Sequence, residues 1–178
     1  MPQIRELLTE ELQGLLDAEN QLLAALPNMA NAARQPKLKE AFEKHLAQTQ
    51  VHVERVKKSF ELLGEKAEAK RCKAIVGLVE EAQEKIKEGE EKEELAADLS
   101  LIAAAQKVEH YEIAAYGTVR SLARLIGERN VATLLTHTLG EEESTDHLLT
   151  EIAKPLLQQA RMDELEEEFE EAASAAGA

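Results

Sequence analysis

Proline and glycine divide most of this chain into four stretches of about 30 residues in which nearly every residue favours a helix. The predicted helices run from about Gln3 to Ala33, Pro36 to Gly64, Leu95 to Ile126 and Glu128 to Ala160. Two prolines, Pro27 and Pro155, fall inside the first and the last of them, where we expect bends. Ala, Leu, Glu, Lys and Gln dominate the composition, so the sequence predicts an all-α protein.

The lengths of the connections predict how these helices are joined. The first two helices and the last two are separated by short joins, which makes each pair an antiparallel hairpin. Between the hairpins lies a long crossover with a shorter amphipathic helix, marked by Ile75, Leu78, Val79, Ala82 and Ile86. Two hairpins joined by one long crossover predict a four-helix bundle with ferritin-like connectivity.

Composition excludes several classes of function. A single cysteine, Cys72, among 178 residues excludes a disulfide framework and any cysteine-based zinc or iron–sulfur site. No apolar run approaches the roughly 20 residues of a membrane span, and the first residues do not resemble a secretory signal. The formal charge of −14 and the 3% aromatic content argue against nucleic acid. We therefore expect a cytoplasmic protein with neither a membrane nor a nucleic acid partner.

The inward face of each long helix is apolar at both ends and polar at mid-height. This pattern appears when the seam is followed at alternating intervals of three and four residues. The polar positions are Glu19 on the first helix, His45, Thr49 and His52 with Gln48 beside them on the second, Gln106 and Glu109 on the third, and Thr138, Glu142 and Asp146 or Thr145 on the fourth. Antiparallel packing brings these positions to one level.

Carboxylates inside an apolar bundle are costly unless they are paired or bind a metal. No Lys or Arg lies on the mid-height seams, so a divalent or trivalent cation is the economical compensation. Carboxylate and imidazole ligands suit iron or manganese, and zinc less specifically. The alternative for any single residue is structural: a lone seam glutamate can reach solvent, and a lone buried histidine is usually a satisfied core residue. Coincident breaks on four helices favour a metal site.

The C-terminal segment has a different composition. Residues 161–178 contain seven acids against one arginine, so their formal charge is −6. Such a run is typical of a solvated helix end or a disordered tail. The sequence therefore predicts a bundle over residues 1–160 and an acidic tail over 161–178.

Five stretches of the chain carry a family resemblance. They are AENQLLAALPNMANAA from residue 18, AFEKHLAQTQVHVERV from 41, RCKAIVGL from 71, IAAAQKVEHYEIAAYGTVRSLA from 102 and LLTHTLGEEESTDHLLTEIA from 134. These stretches resemble the YciE/YciF family of bacterial ferritin-like proteins. The resemblance covers almost all of residues 4–157 and is most specific in AQKVEHYEIAAYG. It implies a ferritin-like fold, a homodimer, a dinuclear metal site and a link to stress responses, but no substrate.

The resemblance also assigns ligands residue by residue. Glu19 and Glu109 resemble the carboxylates of the first and third helices, and Glu142 and Asp146 the pair on the fourth. On the second helix Gln48 replaces an expected glutamate, and His52 stands where glutamine is common. Losing one carboxylate lowers the negative charge of the site, so it could hold one strong and one weak metal ion.

We therefore expect one or two iron or manganese ions, with zinc as a possible substitute, among six ligands. These are Glu19, Gln48, His52, Glu109, Glu142 and Asp146, with His45, Thr49, Gln106, Glu112, Tyr116 and Glu143 as neighbours or alternative ligands. If the site is catalytic, redox chemistry with oxygen or peroxide is the expected reaction. The rival hypothesis is a non-enzymatic stress or interaction protein whose metal is structural or absent.

Overall fold

The computed structural model describes residues 1–176, which form five α-helices and no strand. They are α1 (Pro2–Ala32), α2 (Pro36–Leu63), α3 (Lys73–Gly89), α4 (Glu94–Leu125) and α5 (Arg129–Ala176). The all-α prediction is confirmed, and α1, α2 and α4 lie close to their predicted bounds. Helices α1 and α5 continue through Pro27 and Pro155.

The ends of α2 are set by a proline and a glycine of its own segment and by a cap from α4. Pro36 occupies its first turn, where a missing N–H costs nothing. The cap comes from another helix, because the buried carboxylate of Asp98 on α4 accepts the backbone N–H groups of Arg34 at 2.9 Å and Gln35 at 2.7 Å. At the other end Gly64 adopts φ +70°, a left-handed conformation that favours glycine. Asp98 therefore ties the first hairpin to the second.

The four long helices pack in a ring. Helix α1 contacts α2 and α4, and α5 contacts the same two helices. Residues 33–35 join α1 to α2 and residues 126–128 join α4 to α5, so the members of each pair run antiparallel. The crossover of residues 64–93 contains α3, which packs against α1 and α4.

Two apolar clusters fill the interior of the ring. One contains Leu22 and Leu26 of α1 with Phe42, Leu101 and Leu149; the other contains Leu8 and Leu12 of α1 with Phe60, Val119 and Leu135. Along each long helix the buried polar residues fall between the members of these two clusters. The core is therefore apolar at both ends and polar at mid-height.

Helix α5 is longer than the sequence analysis predicted. It was expected to end near Ala160, but it continues to Ala176 because the tail is rich in Glu, Ala and Leu and contains no helix breaker in this range. The side chains of residues 161–170 are all exposed. Residues 177 and 178, the end of the predicted tail, lie outside the described residues. None of the helices within residues 1–176 is both long and apolar enough to cross a membrane.

Candidate metal centre

Six titratable side chains meet in the polar layer, and each is at most 3% exposed. They come from all four long helices: Glu19 from α1, His45 and His52 from α2, Glu109 and Glu112 from α4, and Glu142 from α5. Glu109 and Glu112 are three residues apart and His45 and His52 seven apart, so each pair lies on one face of its helix. We refer to these six residues as the central cluster.

Most polar atoms of the central cluster lack a hydrogen-bond partner. Within residues 1–176, nine buried side-chain nitrogen or oxygen atoms have no partner, and eight of them belong to the cluster. They are Oε2 of Glu19, Nε2 of His45, Nδ1 of His52, Oε2 of Glu109, and both carboxylate oxygens of Glu112 and of Glu142. Buried polar atoms are normally satisfied, so this concentration needs an explanation.

The donor atoms form two groups that share one residue. The first group contains His45, Glu109, Glu112 and Glu142, and the second contains Glu19, His52 and Glu142. In each group one ligand atom per residue lies within 4.8 Å of the others. Donors bound to one ion at about 2.1 Å lie up to about 4.2 Å apart, so small side-chain shifts suffice for each group to bind an ion. Glu142 belongs to both groups.

The ring of His52 is held by a carboxylate outside the cluster. Its Nε2 lies 2.8 Å from Oε2 of Glu141, which also accepts hydrogen bonds from Arg55. Its Nδ1 faces inward, 3.0 Å from Glu142 Oε1 and 3.5 Å from Glu19 Oε1. A metal-binding histidine commonly donates its other N–H to a carboxylate. Glu141 therefore favours the tautomer with a free lone pair on Nδ1.

The ring of His45 is oriented by a hydroxyl. Its Nδ1 lies 3.3 Å from Oγ1 of Thr145, which donates to the backbone carbonyl of Glu141 at 3.0 Å. The hydroxyl oxygen can then accept the Nδ1–H of His45. The Nε2 atom lies 3.3 Å from Glu109 Oε1 and 3.6 Å from Glu142 Oε2. Each histidine thus directs a single nitrogen into the cluster.

Burial and mutual repulsion raise the pKa values of the clustered carboxyls. Burial raises the pKa of Glu109 and Glu112 well above the usual range, and the nearby charge of Glu142 adds to the effect. Burial also raises the pKa of Glu19, although His52 partly offsets it. The site therefore stabilises positive charge.

The two histidines shift in opposite directions. Burial lowers the pKa of His45 and outweighs the attraction of Glu142. Burial alone would also lower the pKa of His52, but the carboxylates of Glu142 and Glu19 outweigh it and raise this pKa to about 10. His52 is thus the one cluster group that supplies a compensating charge when no cation is bound.

Tyr116 borders the cluster on the α4 side. It is fully buried, and its hydroxyl donates a hydrogen bond to Oε1 of Glu19. Burial and the charge of Glu19 raise its pKa well above the usual value, so the phenol remains protonated. It fixes one oxygen of Glu19 and leaves the other free.

The structure also places the remaining predicted residues. Gln48 is half-buried beside a cavity of about 30 Å³ between α2 and α5, and its side chain interacts with His45. Asp146 is half-buried outside the two groups, where its Oδ1 accepts a hydrogen bond from Gln106 at 3.1 Å. Thr49 is buried and donates to the backbone of its own helix, and Glu143 is exposed.

The structure brings together some of the predicted ligands and leaves out others. Glu19, His52, Glu109 and Glu142 come together, and His45 and Glu112 join them in place of Gln48 and Asp146. Sequence reasoning missed Glu141, Arg55 and the orienting role of Thr145. The sequence carried a signal for both added residues: His45 lies on the polar part of the α2 seam, and a spacing of three keeps Glu112 on the same helix face as Glu109.

The donor set fits a metal such as iron or manganese. Four carboxylates and two imidazole nitrogens are hard or borderline ligands, and the set contains no thiolate. The eight atoms without partners are those that a cation would satisfy. The residues present therefore fit one or two bound ions.

Comparisons with known sequences identify the family of this chain. Residues 3–162 match the family described as a domain of unknown function, DUF892. Protein YciF of Escherichia coli K12 is 44% identical over 154 residues, which are 86% of this chain and 92% of YciF. These matches confirm the family resemblance inferred from the sequence.

Solved structures of related proteins have the same fold as this chain. The crystal structure of the E. coli stress protein YciF superimposes with a TM-score of 0.84 at 42% identity, covering 89% of this chain and 99% of that one. YcfI from Rhodopseudomonas palustris gives 0.78 at 37% identity, covering 83% and 92%. A protein from Xanthomonas campestris pv. campestris gives 0.70 at 22% identity over 91% and 99%, which supports the fold alone.

Proposed function

The chain belongs to the DUF892 family, and we propose that it is a ferritin-like protein that binds iron or manganese in its central cluster and acts in a stress response. The relative YciF, described as a stress protein, supports the physiological part of the proposal. The ring of four long helices with a crossover containing α3 supports the ferritin-like arrangement.

The observation that carries the metal proposal is the set of eight unpartnered polar atoms in the cluster. Without a bound cation these buried atoms would lack the hydrogen bonds they make with water in the unfolded chain, and the carboxylates would repel one another. A pair of cations sharing Glu142 would satisfy both groups of donors. Because zinc accepts the same ligands, it is a possible substitute.

A bound iron or manganese pair would supply redox chemistry with oxygen or peroxide. The protein would contribute binding and orientation. Glu141 and Thr145 orient the two histidines, Tyr116 holds a proton on its hydroxyl beside Glu19, and the two apolar clusters keep bulk water from the site.

A second candidate function is a structural metal site in a protein without catalytic activity. Every residue of the central cluster is at most 3% exposed, and a closed site is typical of a structural ion. The relative YcfI is described as a candidate structural protein. The two functions share the ligands and differ in access to the metal.

Metal titration tests the site. Chelated protein is titrated anaerobically with ferrous iron and, separately, with manganese, and the bound metal is counted after desalting. We expect up to two ions per chain. Glu142→Gln should weaken both ions because it removes the shared carboxylate, whereas Glu19→Gln should weaken mainly one. The exposed Glu143→Gln serves as a control, and equal binding by all four proteins would refute the site.

Exposure of the loaded protein to oxidants separates the two functions. A redox site should consume oxygen or hydrogen peroxide in proportion to bound ferrous iron, followed with an electrode. A structural site should retain its metal without consuming either. Stoichiometric binding without consumption would support the second candidate and exclude the first.

A further inference from the structure

The central cluster is closed, so a metal ion has to cross the wall of the bundle to reach it. Each of its six residues is at most 3% exposed. A metal site needs a path of entry as well as ligands. The two seams that α5 forms, one with α4 and one with α2, border the helix that contributes Glu142 to both donor groups. These two seams differ in the charges they present.

The seam between α4 and α5 carries an acid at the height of the cluster. Asp146 lies four residues after Glu142, and Gln106 lies three residues before Glu109, so each shares a helix face with a cluster carboxylate. Gln106 donates hydrogen bonds to Oδ1 of Asp146 at 3.1 Å and to Oγ1 of Thr150 at 2.8 Å. These bonds join the two helices and hold the carboxylate of Asp146 in the seam.

Asp146 can be reached from solvent. Its side chain is 22% exposed, and Nε2 of His110, a histidine that is 70% exposed, lies 3.4 Å from its Oδ1. Gln106 and His110 both contact Oδ1, so Oδ2 has no side-chain partner within residues 1–176. Over the same residues no Lys or Arg pairs with Asp146. A free carboxylate oxygen beside an imidazole is a donor set that a divalent cation accepts.

Glu109 lies at the inner end of this seam. It is buried, and its Oε2 has no hydrogen-bond partner. Burial is the main cause of the raised pKa of Glu109, and the charge of Asp146 adds to the effect, so the two carboxyls interact electrostatically. Exposed His110, half-buried Asp146 and buried Glu109 thus form a series from the surface to the cluster, which we call the acidic seam.

The seam between α2 and α5 is less favourable to a cation. Glu141 on this seam is already paired with Arg55 and His52. The exposed Lys44 borders the cavity of about 30 Å³ between the same helices, and that volume corresponds to a single water molecule. A lysine at the entrance repels a metal ion, whereas the carboxylate of Asp146 attracts one.

We propose that divalent cations enter the central cluster through the acidic seam, where Asp146 binds them in transit. The proposal rests on the proposed metal-binding function and adds the route to it. His110 would meet the hydrated cation first, Oδ2 of Asp146 would replace part of its water shell, and Oε2 of Glu109 would receive it. Gln106 holds Asp146 through Oδ1 throughout. Asp146 therefore controls the rate of uptake and not the capacity of the site.

The rate of manganese binding tests the proposal. The chelated full-length protein is mixed with Mn²⁺ in a stopped-flow instrument, and the fall in free Mn²⁺ is followed with a fluorescent indicator. Asp146→Asn should slow uptake by about 10-fold, because it removes the charge that attracts the cation. His110→Ala should slow uptake to a smaller extent. Both variants should bind as many ions at equilibrium as the wild type.

Three further variants serve as controls. His147→Ala removes a histidine that is 75% exposed, and Asp163→Asn removes one negative charge from the exposed end of α5. Neither should change the rate of uptake. Lys44→Gln examines the other seam, and it should also leave the rate unchanged. Faster uptake by Lys44→Gln would show that cations enter between α2 and α5, and would overturn the proposal.

Release of manganese to an excess of chelator gives an independent measurement. A residue on the route changes the rates of entry and exit by the same factor, so Asp146→Asn should also slow release and leave the dissociation constant nearly unchanged. Faster release or fewer bound ions would make Asp146 a resident ligand, and wild-type rates would remove it from the route; each result overturns the proposal. A wild type that binds no manganese would instead refute the proposed function itself, and the route with it.

Discussion

Nε2 of His52 lies 2.8 Å from the carboxylate of Glu141, which in turn pairs with Arg55. This contact joins α2 to α5 at the level of the central cluster. It fixes the ring so that Nδ1 points at Glu19 and Glu142. Burial tends to raise the pKa of Glu141, but the hydrogen bonds from Arg55 and His52 outweigh it and lower this pKa, so the carboxylate stays ionised.

The first prediction concerns this contact. Glu141→Gln removes the charge that orients His52 and should weaken metal binding by about 10–100-fold without removing a ligand. The measurement is a competition titration against a chelator. Glu143→Gln changes an exposed glutamate two residues away and is the matched control. Equal affinities for the two variants would show that Glu141 does not position the ligand.

A second prediction follows from the raised pKa values of Glu109 and Glu112. Each group binds its proton more tightly in the folded state than in the unfolded chain, so its contribution to stability is complete below the unfolded pKa and is lost as pH rises through the folded pKa. The free energy of unfolding of the metal-free protein should therefore increase as the pH is lowered from 8.5 to 6.5. His52, with its pKa near 10, acts in the same direction. His45, whose pKa is lowered, opposes only below about pH 6.5.

Denaturant unfolding in the presence of a chelator measures this effect. Added manganese should reverse the slope, because metal binding needs deprotonated ligands and strengthens as pH rises. A metal-free protein whose stability is unchanged or falls on acidification to pH 6.5 would contradict the prediction.

Glu112 provides a third prediction. Both of its oxygens lack partners, so Glu112→Gln should stabilise the metal-free protein at pH 8 by about 1–2 kcal/mol. The same variant should gain less stability from added metal than the wild type. Thermal unfolding with and without manganese measures both effects. A variant that is less stable without metal would show that the carboxylate is satisfied in the metal-free state.

Tyr116 provides a fourth prediction. Tyr116→Phe removes the donor to Glu19 inside the core and should cost about 1–2 kcal/mol of unfolding free energy in the metal-free protein. Tyr111→Phe is the matched control, because the hydroxyl of this half-buried tyrosine forms its hydrogen bond outside the central cluster, with the thiol of Cys72 at 2.9 Å. Urea unfolding should show the larger loss for Tyr116→Phe. Similar losses would mean that the bond to Glu19 adds nothing.

The sequence predicted the helices and the level of the site, but not the membership of the central cluster. Gln48 and His45 both lie near the inward face of α2, as do Asp146 and Glu142 on α5. Positions three or four residues apart differ by only 40–60° around a helix, so periodicity cannot tell the bundle axis from a helix–helix seam. The structure points His45 and Glu112 at the axis and places Gln48 and Asp146 nearer the seams.

By itself the sequence determined what depends on local chemistry. Helix propensity and the placement of proline and glycine define four long helices, and the glutamates and histidines interrupt their apolar faces at one height. The tertiary structure decided what depends on distance. It paired Glu141 with His52 across 89 residues and placed Glu142 in both donor groups. Such contacts depend on the rotation and axial position of packed helices, which are set by the whole core and not by the residues that meet.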